Sequence, residues 1–147
     1  MIGMRPLLRS ALYAGFRWDI PARLNMAAQV CDVWAEAEPE RVAIIDLSGE
    51  GPRDVTYGAL RAMADGLAHV LVARGVRRGD RVGVLRNQGG WCAAAHIAIW
   101  KIGAISIPLF KLFKEDALVS RVGDAGAKVV VTDAEGAAML GSMPGVT

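Results

Sequence analysis

Apolar residues recur along this chain with two periods, one typical of helices and one typical of short buried strands. Helical spacing, with apolar residues three and four positions apart, marks residues 25–38, 56–74, 91–102, 115–124 and 134–140. Short runs of apolar and β-branched residues lie between these stretches, at residues 42–46, 81–85, 104–107 and 127–132. The alternation predicts an open α/β sheet in which helices connect parallel strands.

The centre of the pattern is a strand–helix–strand unit over residues 76–109. Its first strand is followed by a short polar run, and Gly89-Gly90 then breaks the chain before the helix. Gly103 ends that helix, and Pro108 closes the second strand. A unit of about 30 residues with this order predicts two parallel, buried strands.

The segment before this unit has clear boundaries. Residues 42–46 and 54–56 flank a glycine-containing turn, which predicts a small hairpin. Thr56 can cap the helix that follows, and Gly75 lies at the position after the helix where a left-handed backbone conformation favours glycine. We therefore predict a hairpin that leads directly into a long amphipathic helix.

Residues 1–24 are predicted to form an irregular arm, because Pro6 and Pro21 interrupt them and no periodic pattern appears. Phe16 and Trp18 are expected to anchor this arm to the body of the protein. A second interpretation stays open, in which the arm is a transit-like targeting segment. It depends on three basic residues, Arg5, Arg9 and Arg17, which all come before the first acidic residue, Asp19.

Composition narrows the class of protein. The chain has 147 residues, of which 53% are hydrophobic and 22% charged, so it is long and apolar enough for one globular domain. The net charge is +2 and the only adjacent basic pair is Arg77-Arg78, which indicates no nucleic-acid footprint. Cys31 and Cys92 lie far apart without partner motifs, which disfavours disulfides and zinc and fits a reducing cytoplasm. No clean apolar run of about 20 residues predicts a transmembrane helix.

The glycines of the central unit do not form a phosphate loop. The required lysine followed by serine or threonine is missing, and so is the pattern G-x-G-x-x-G. We interpret Gly89-Gly90 as a tight turn, although the helix start there leaves anion binding open. His69 and His96 have no carboxylate or serine partner nearby in sequence, which favours packed or surface histidines over catalytic bases.

The loop after the second parallel strand is the strongest candidate site. Phe110, Lys111, Phe113 and Lys114 follow the carboxyl end of that strand, and open α/β sheets bind ligands at this edge. The lysines suit a phosphate, and the aromatic rings suit a base or a pantetheine arm. The alternative is that the phenylalanines pack and the lysines are solvated.

Several short motifs also occur in a fixed order along the chain. They are Thr56-Tyr57 with Leu60, Gly75-Val76, Gly79-Asp80-Arg81-Val82, Lys101-x-Gly103-Ala104, Pro108-Leu109 and residues 124–132. Their order and spacing resemble the N-terminal portion of the AMP-forming acyl-CoA synthetases, which belong to the adenylate-forming superfamily. The resemblance covers roughly residues 12–141. A further set of motifs resembles the acetyl- and medium-chain acyl-CoA synthetase branch, namely Phe16-Arg17-Trp18, Ile20-Pro21, Asn25-Met26 and Val30-Cys31-Asp32-x-Trp34.

The resemblance implies a ligase that joins ATP and a carboxylic acid into an acyl-adenylate and pyrophosphate, after which coenzyme A displaces AMP. Magnesium would serve the phosphates. It implies the α/β class, with an arm at residues 1–24 and an incomplete parallel-sheet subdomain with flanking helices at residues 25–147. Phe110, Lys111 and Phe113 would lie near the CoA channel, although Lys111 and Leu112 replace glycines that some relatives carry there.

The same resemblance implies that the chain acts only as part of a larger enzyme. The family's phosphate loop, its ribose-binding aspartate and its catalytic lysine have no counterparts here, so no catalytic or metal-binding residue is assigned. We expect an N-terminal fragment without ligase activity or bound cofactor, in the cytoplasm, that self-associates through exposed sheet edges. Two alternatives stay open: a short regulatory paralogue that docks on a synthetase, and an unrelated flavodoxin-like nucleotide-binding domain.

Overall fold

The computed structural model describes residues 6–141 and residue 146. Short helices and strands alternate along the chain, which confirms the predicted α/β class. A π-helical turn at Ala28–Asp32 precedes the second α-helix. The bounds are α1 Pro6–Gly15, α2 Val33–Ala37, β1 Val42–Asp46, β2 Arg53–Thr56, α3 Tyr57–Ala73, β3 Arg81–Leu85, α4 Gly90–Lys101, β4 Ile105–Leu109, α5 Glu115–Ala125, β5 Val129–Thr132 and α6 Ala134–Leu140.

The strands form a parallel sheet and a separate hairpin. In the parallel sheet β3 lies between β4 and β5, so that Leu85 pairs with Leu109 on one side and with Thr132 on the other. β1 and β2 pair antiparallel, with an irregularity between Val42 and Ile44. Both the strand–helix–strand unit and the hairpin are therefore confirmed.

The parallel sheet carries a different core on each face, because side chains alternate along a strand. Val82 and Val84 of β3 pack with α3 and α4 on one face. Leu85 of the same strand packs with α5 and α6 on the other face. Each fully buried leucine of this kind contributes about 1.5–3 kcal/mol to the hydrophobic driving force. The two faces matter for the site, because α4 leaves β3 toward one face and α6 leaves β5 toward the other.

Helix α3 has the ends that the sequence predicts. The Thr56 hydroxyl accepts a hydrogen bond from the Ala59 amide at 3.2 Å. At the other end Gly75 has φ +85°, and the Val76 amide donates to the Leu71 carbonyl. Val76 is buried, which supplies the apolar contact that accompanies this type of helix end.

The prediction of an irregular N-terminal arm is wrong for α1. Pro6 is the first helical residue, a position where its missing N–H costs nothing and its fixed φ suits the helix. The anchoring role predicted for two aromatic residues is also wrong. Phe16 and Trp18 are 56% and 79% exposed and contact each other edge to face at 5.0 Å. Arg5, which the targeting interpretation uses, lies outside the described residues.

Two further boundaries differ from the sequence prediction. The helix predicted for residues 25–38 contains the π-helical turn, whose last residue, Asp32, makes an ion pair with Lys101 at 2.5 Å. Lys101 also contacts Asp65 of α3 at 2.6 Å, so one lysine joins three helical segments. Pro108 lies inside β4 instead of closing it, and β4 tolerates the proline because it is an edge strand. No helix among residues 6–141 is long and apolar enough to cross a membrane.

Candidate functional site

The carboxyl edge of the parallel sheet brings three connecting segments together. These are residues 86–89 after β3, residues 110–114 after β4, and Asp133 after β5. Because β3 is the middle strand, its connection lies between the other two. The sequence predicted a site in the second of these segments, and the structure adds the other two.

Lys111 ties the β4 loop to the start of α6, across the end of the middle strand. Its Nζ lies 2.8 Å from an Asp133 carboxylate oxygen and 2.5 Å from one of Glu135. Only 11% of its side chain is exposed. The hydrogen bonds to Asp133 and Glu135 raise the pKa of Lys111 above its ordinary value. Lys111 is therefore not the solvated lysine of the alternative interpretation, because its ammonium group forms ion pairs with Asp133 and Glu135.

The two phenylalanines of this loop form a small aromatic cluster. Phe110 and Phe113 contact edge to face with ring centres 5.5 Å apart. The Arg121 guanidinium of α5 lies 4.4 Å from the centre of the Phe113 ring, within cation–π range. Phe110 is half-exposed, so one ring of the pair is available at the sheet edge. The structure thus places Phe110, Lys111 and Phe113 together, with Lys111 facing the sheet and Phe110 facing solvent.

The Gly89-Gly90 turn is occupied by a carboxylate of this chain. The Gly90 amide donates to Asp46 Oδ2 at 2.9 Å, and the Ser48 amide donates to Asp46 Oδ1 at 2.9 Å. The Gly90 amide, the side chain and amide of Ser48, and the Arg53 guanidinium at 3.5 Å hold the pKa of Asp46 well below its usual range. The predicted tight turn is confirmed, and the anion at the start of α4 is Asp46. Sequence reasoning missed Asp46 because its partner lies 44 residues away in the chain.

Gly89 explains why this turn needs glycine. Its φ of +154° lies outside the region that other residues prefer. A Cβ at this position would also stand 3.1 Å from both Asp46 carboxylate oxygens. The glycine pair therefore lets the β1 carboxylate approach the first turn of α4.

Two cavities flank the turn. The smaller, of about 190 Å³, is lined by residues 86–92, by Asp133 after β5, and by Asp46, Ser48 and Arg53 of the hairpin. The larger, of about 570 Å³, lies on the hairpin side and includes Cys92 and His96. Both cysteines of the chain are free thiols. The part of the chain described here contains no group of three or more metal-ligating side chains.

Burial favours the neutral forms of the His96 imidazole and the Cys92 thiol, which both line the larger cavity. Burial lowers the pKa of His96, which lies 5.9 Å from the Trp100 ring, and burial raises the pKa of the Cys92 thiol. A neutral thiol is a poor nucleophile. These directions agree with a packed His96, one of the two roles that the sequence favours.

Known proteins match about four fifths of the chain in sequence. Residues 31–145 match the family model described as AMP-binding enzyme. The acetyl-coenzyme A synthetase of Penicillium chrysogenum is 38% identical over 122 residues, which are 81% of this chain and 18% of the relative. The acetyl-coenzyme A synthetase of Novosphingobium aromaticivorans is 34% identical over 125 residues, which are 83% of this chain and 19% of the relative. The chain thus spans about a fifth of the length of these curated relatives.

A solved acyl-CoA synthetase structure is similar to this chain in its fold. The crystal structure of Brucella canis acyl-CoA synthetase superposes with a TM-score of 0.77 and 27% sequence identity. The overlap covers 94% of this chain and 25% of that protein.

Proposed function

This chain belongs to the AMP-binding enzyme family, and from that premise we propose that it forms the N-terminal α/β portion of an AMP-forming acyl-CoA synthetase. The whole enzyme would activate a carboxylic acid with ATP and Mg²⁺, release pyrophosphate, and transfer the acyl group to coenzyme A. The observation that carries the proposal is the family match over residues 31–145, supported by a structural overlap of 94% of the chain. These matches favour a synthetase over an unrelated flavodoxin-like domain.

The residues present indicate which part of such an enzyme this chain would supply. Residues 25–147 would supply sheet scaffold, residues 1–24 would form an arm, and no residue of this chain would perform the adenylation chemistry. The 147-residue chain alone is then inactive. A cytoplasmic location is part of the proposal and is supported by the two buried free thiols, which suit a reducing compartment.

The local role that we propose is a contact near the coenzyme A path. Phe110 offers a half-exposed ring to a pantetheine arm or an adenine, and Phe113 supports it from behind. Lys111 acts as a positioning residue, because its ion pairs with Asp133 and Glu135 hold the loop that carries Phe110.

A chimeric enzyme tests this proposal. The matching segment of the Penicillium chrysogenum acetyl-coenzyme A synthetase is replaced by this chain. We expect the chimera to catalyse acetate-dependent exchange of pyrophosphate into ATP and to form a thioester with coenzyme A. In the chimera, Phe110→Ala should raise the KM for coenzyme A about tenfold, the loss expected for one buried aromatic contact, without changing the exchange reaction.

Trp18→Ala, which removes an exposed aromatic residue far along the chain from the site, is the matched control and should leave both reactions unchanged. A chimera that is folded by circular dichroism but catalyses no exchange would contradict the synthetase assignment. A Phe110→Ala effect on exchange equal to its effect on thioester formation would contradict the coenzyme A contact.

We also propose that the isolated chain self-associates. β4 and β5 are the edges of the parallel sheet, and exposed apolar residues lie on β1 and β4, namely Val42, Ile45 and Ile105. Unprotected edges and apolar patches favour association. Size-exclusion chromatography should show species larger than a 15.6 kDa monomer, with increased ANS fluorescence. A monomer that does not bind ANS would contradict this proposal.

A further inference from the structure

The carboxyl ends of β3 and β5 form a crevice of the kind that binds ligands in open α/β sheets. The connection that leaves β3 enters α4 on one face of the sheet, whereas the connection that leaves β5 enters α6 on the opposite face. Neighbouring strands whose connections separate in this way leave a gap between the two loops. The cavity of about 190 Å³ extends from this gap toward the hairpin, because its lining includes Asp133 after β5 as well as Asp46, Ser48 and Arg53.

Within residues 6–141, two arginines line this crevice, and Arg86 differs from the exposed Arg53 because it carries a buried donor without a partner. Arg86 follows the last residue of β3, and its Nη1 donates to the Thr132 carbonyl at 3.1 Å. Its Nε is buried and has no hydrogen-bond partner among the described residues. A buried donor without a partner is costly, so a native site usually supplies one. An oxyanion that meets the guanidinium edge would satisfy it.

Among the described residues, no carboxylate of the lining forms an ion pair with Arg86, although the charge of Arg86 contributes to lowering the pKa of Asp133. Asp46 accepts hydrogen bonds from the Gly90 and Ser48 amides and lies 3.5 Å from Arg53. Asp133 accepts from the Gly136 amide and from Lys111. Each carboxylate thus has its own donors, whereas the Arg86 contact is a neutral carbonyl. Asn87 and Gln88 add side-chain amides to the same lining.

We propose that this crevice binds a phosphate group, with Arg86 as the central ligand and Asn87 and Gln88 as flanking donors. A phosphate presents three or more oxygens to several donors, whereas a carboxylate presents two. The cavity is smaller than the 300–1,000 Å³ that encloses a whole drug-sized ligand, so it accommodates the phosphate and leaves the remainder of a phosphate ester outside. The crevice contains neither Phe110 nor Phe113, although Asp133 in its lining also binds Lys111, and the proposal does not depend on the proposed ligase activity.

Nitrogen-15 NMR of the 147-residue chain tests the proposal through the Arg86 Nε–H resonance. Inorganic phosphate and ribose 5-phosphate are titrated separately at constant ionic strength, with sodium chloride as the compensating salt. We expect a saturable shift of the Arg86 resonance with phosphate but not with chloride. Equal shifts from both probes would identify the free anion as sufficient, and tighter binding of ribose 5-phosphate would identify an ester.

Three variants make the assignment specific. Arg86→Lys keeps the charge but loses the Nε–H donor. It should raise the dissociation constant for phosphate at least tenfold, as measured from the backbone amide resonances of residues 87 and 88. Asn87→Asp leaves Arg86 in place but adds a negative charge to the lining, and it should weaken binding similarly. Arg78→Gln, at the amino edge of the sheet, should bind as the unmodified chain does. Unchanged binding in Arg86→Lys and Asn87→Asp, or an equal response to chloride, would overturn the proposal.

Discussion

Replacing Gly136 with alanine should lower the free energy of unfolding by about 2–3 kcal/mol, the cost of forcing extra volume into a packed core. Gly136 is buried in the first turn of α6. A Cβ there would stand 2.0 Å from Thr132 Oγ1 and 3.1 Å from the Leu85 carbonyl oxygen. Thr132 cannot rotate away freely, because its hydroxyl donates to that same carbonyl at 2.8 Å. Urea unfolding followed by circular dichroism measures the loss.

Two companion variants separate the clash from other effects of alanine. Gly66→Ala lies in α3, where no described atom is within 4 Å of the new Cβ, and it should stabilise the protein by about 0.5–1 kcal/mol. Thr132→Ala removes the clashing hydroxyl, so the double variant with Gly136→Ala should be more stable than the sum of the single effects predicts. Strict additivity of the two changes would show that the contact between residues 132 and 136 is not the cause.

Local signals in the sequence were sufficient for most of the elements. The ends of α3 depend on Thr56 and on Gly75, which act within a few residues of their own positions. The parallel strands are short apolar runs that their neighbouring glycines delimit. Features of this kind can be predicted from the sequence, because the groups that form them are close together in the chain.

The contacts that build the site join residues far apart in the chain, and the sequence did not predict them. Asp46 reaches Gly90 across 44 residues, and Lys111 reaches Asp133 across 22. Periodicity locates the strand that carries Asp46 but not the helix start that it approaches. The contact between Lys101 of α4 and Asp32, the last residue of the π-helical turn, likewise joins residues 69 positions apart.

The α1 error has a local cause. The sequence analysis treated Pro6 as a breaker, although proline is favoured at the first position of a helix. The same residue therefore starts α1, and the leucines and alanines after it are good helix formers. A proline signal indicates a boundary, and the residues that follow decide whether a helix begins or ends there.

Replacing Asp46 with asparagine should lower the melting temperature by roughly 10 °C at neutral pH, a large effect for a chain of this size. Asp46 is 4% exposed and accepts hydrogen bonds from the backbone amides of Gly90 and Ser48. An asparagine keeps one oxygen but turns an NH₂ donor toward the other amide. The junction between the hairpin and α4 would then lose one of its links. Asp54→Asn, on the exposed strand β2, is the matched control and should leave the melting temperature within about 2 °C of the original value.

The pH dependence identifies the charge of Asp46 as the cause. Its pKa is lower in the folded chain than the value of about 3.9 that an unfolded aspartate has. The unfolded state therefore binds the proton first as the pH falls, and the stability that Asp46 contributes is present above about pH 4 and declines below it. The difference in melting temperature between the original chain and Asp46→Asn should thus be constant from pH 7 to pH 5 and shrink at pH 3. A difference that does not change over this range would show that the carboxylate charge contributes nothing, and that shape alone holds the hairpin against α4.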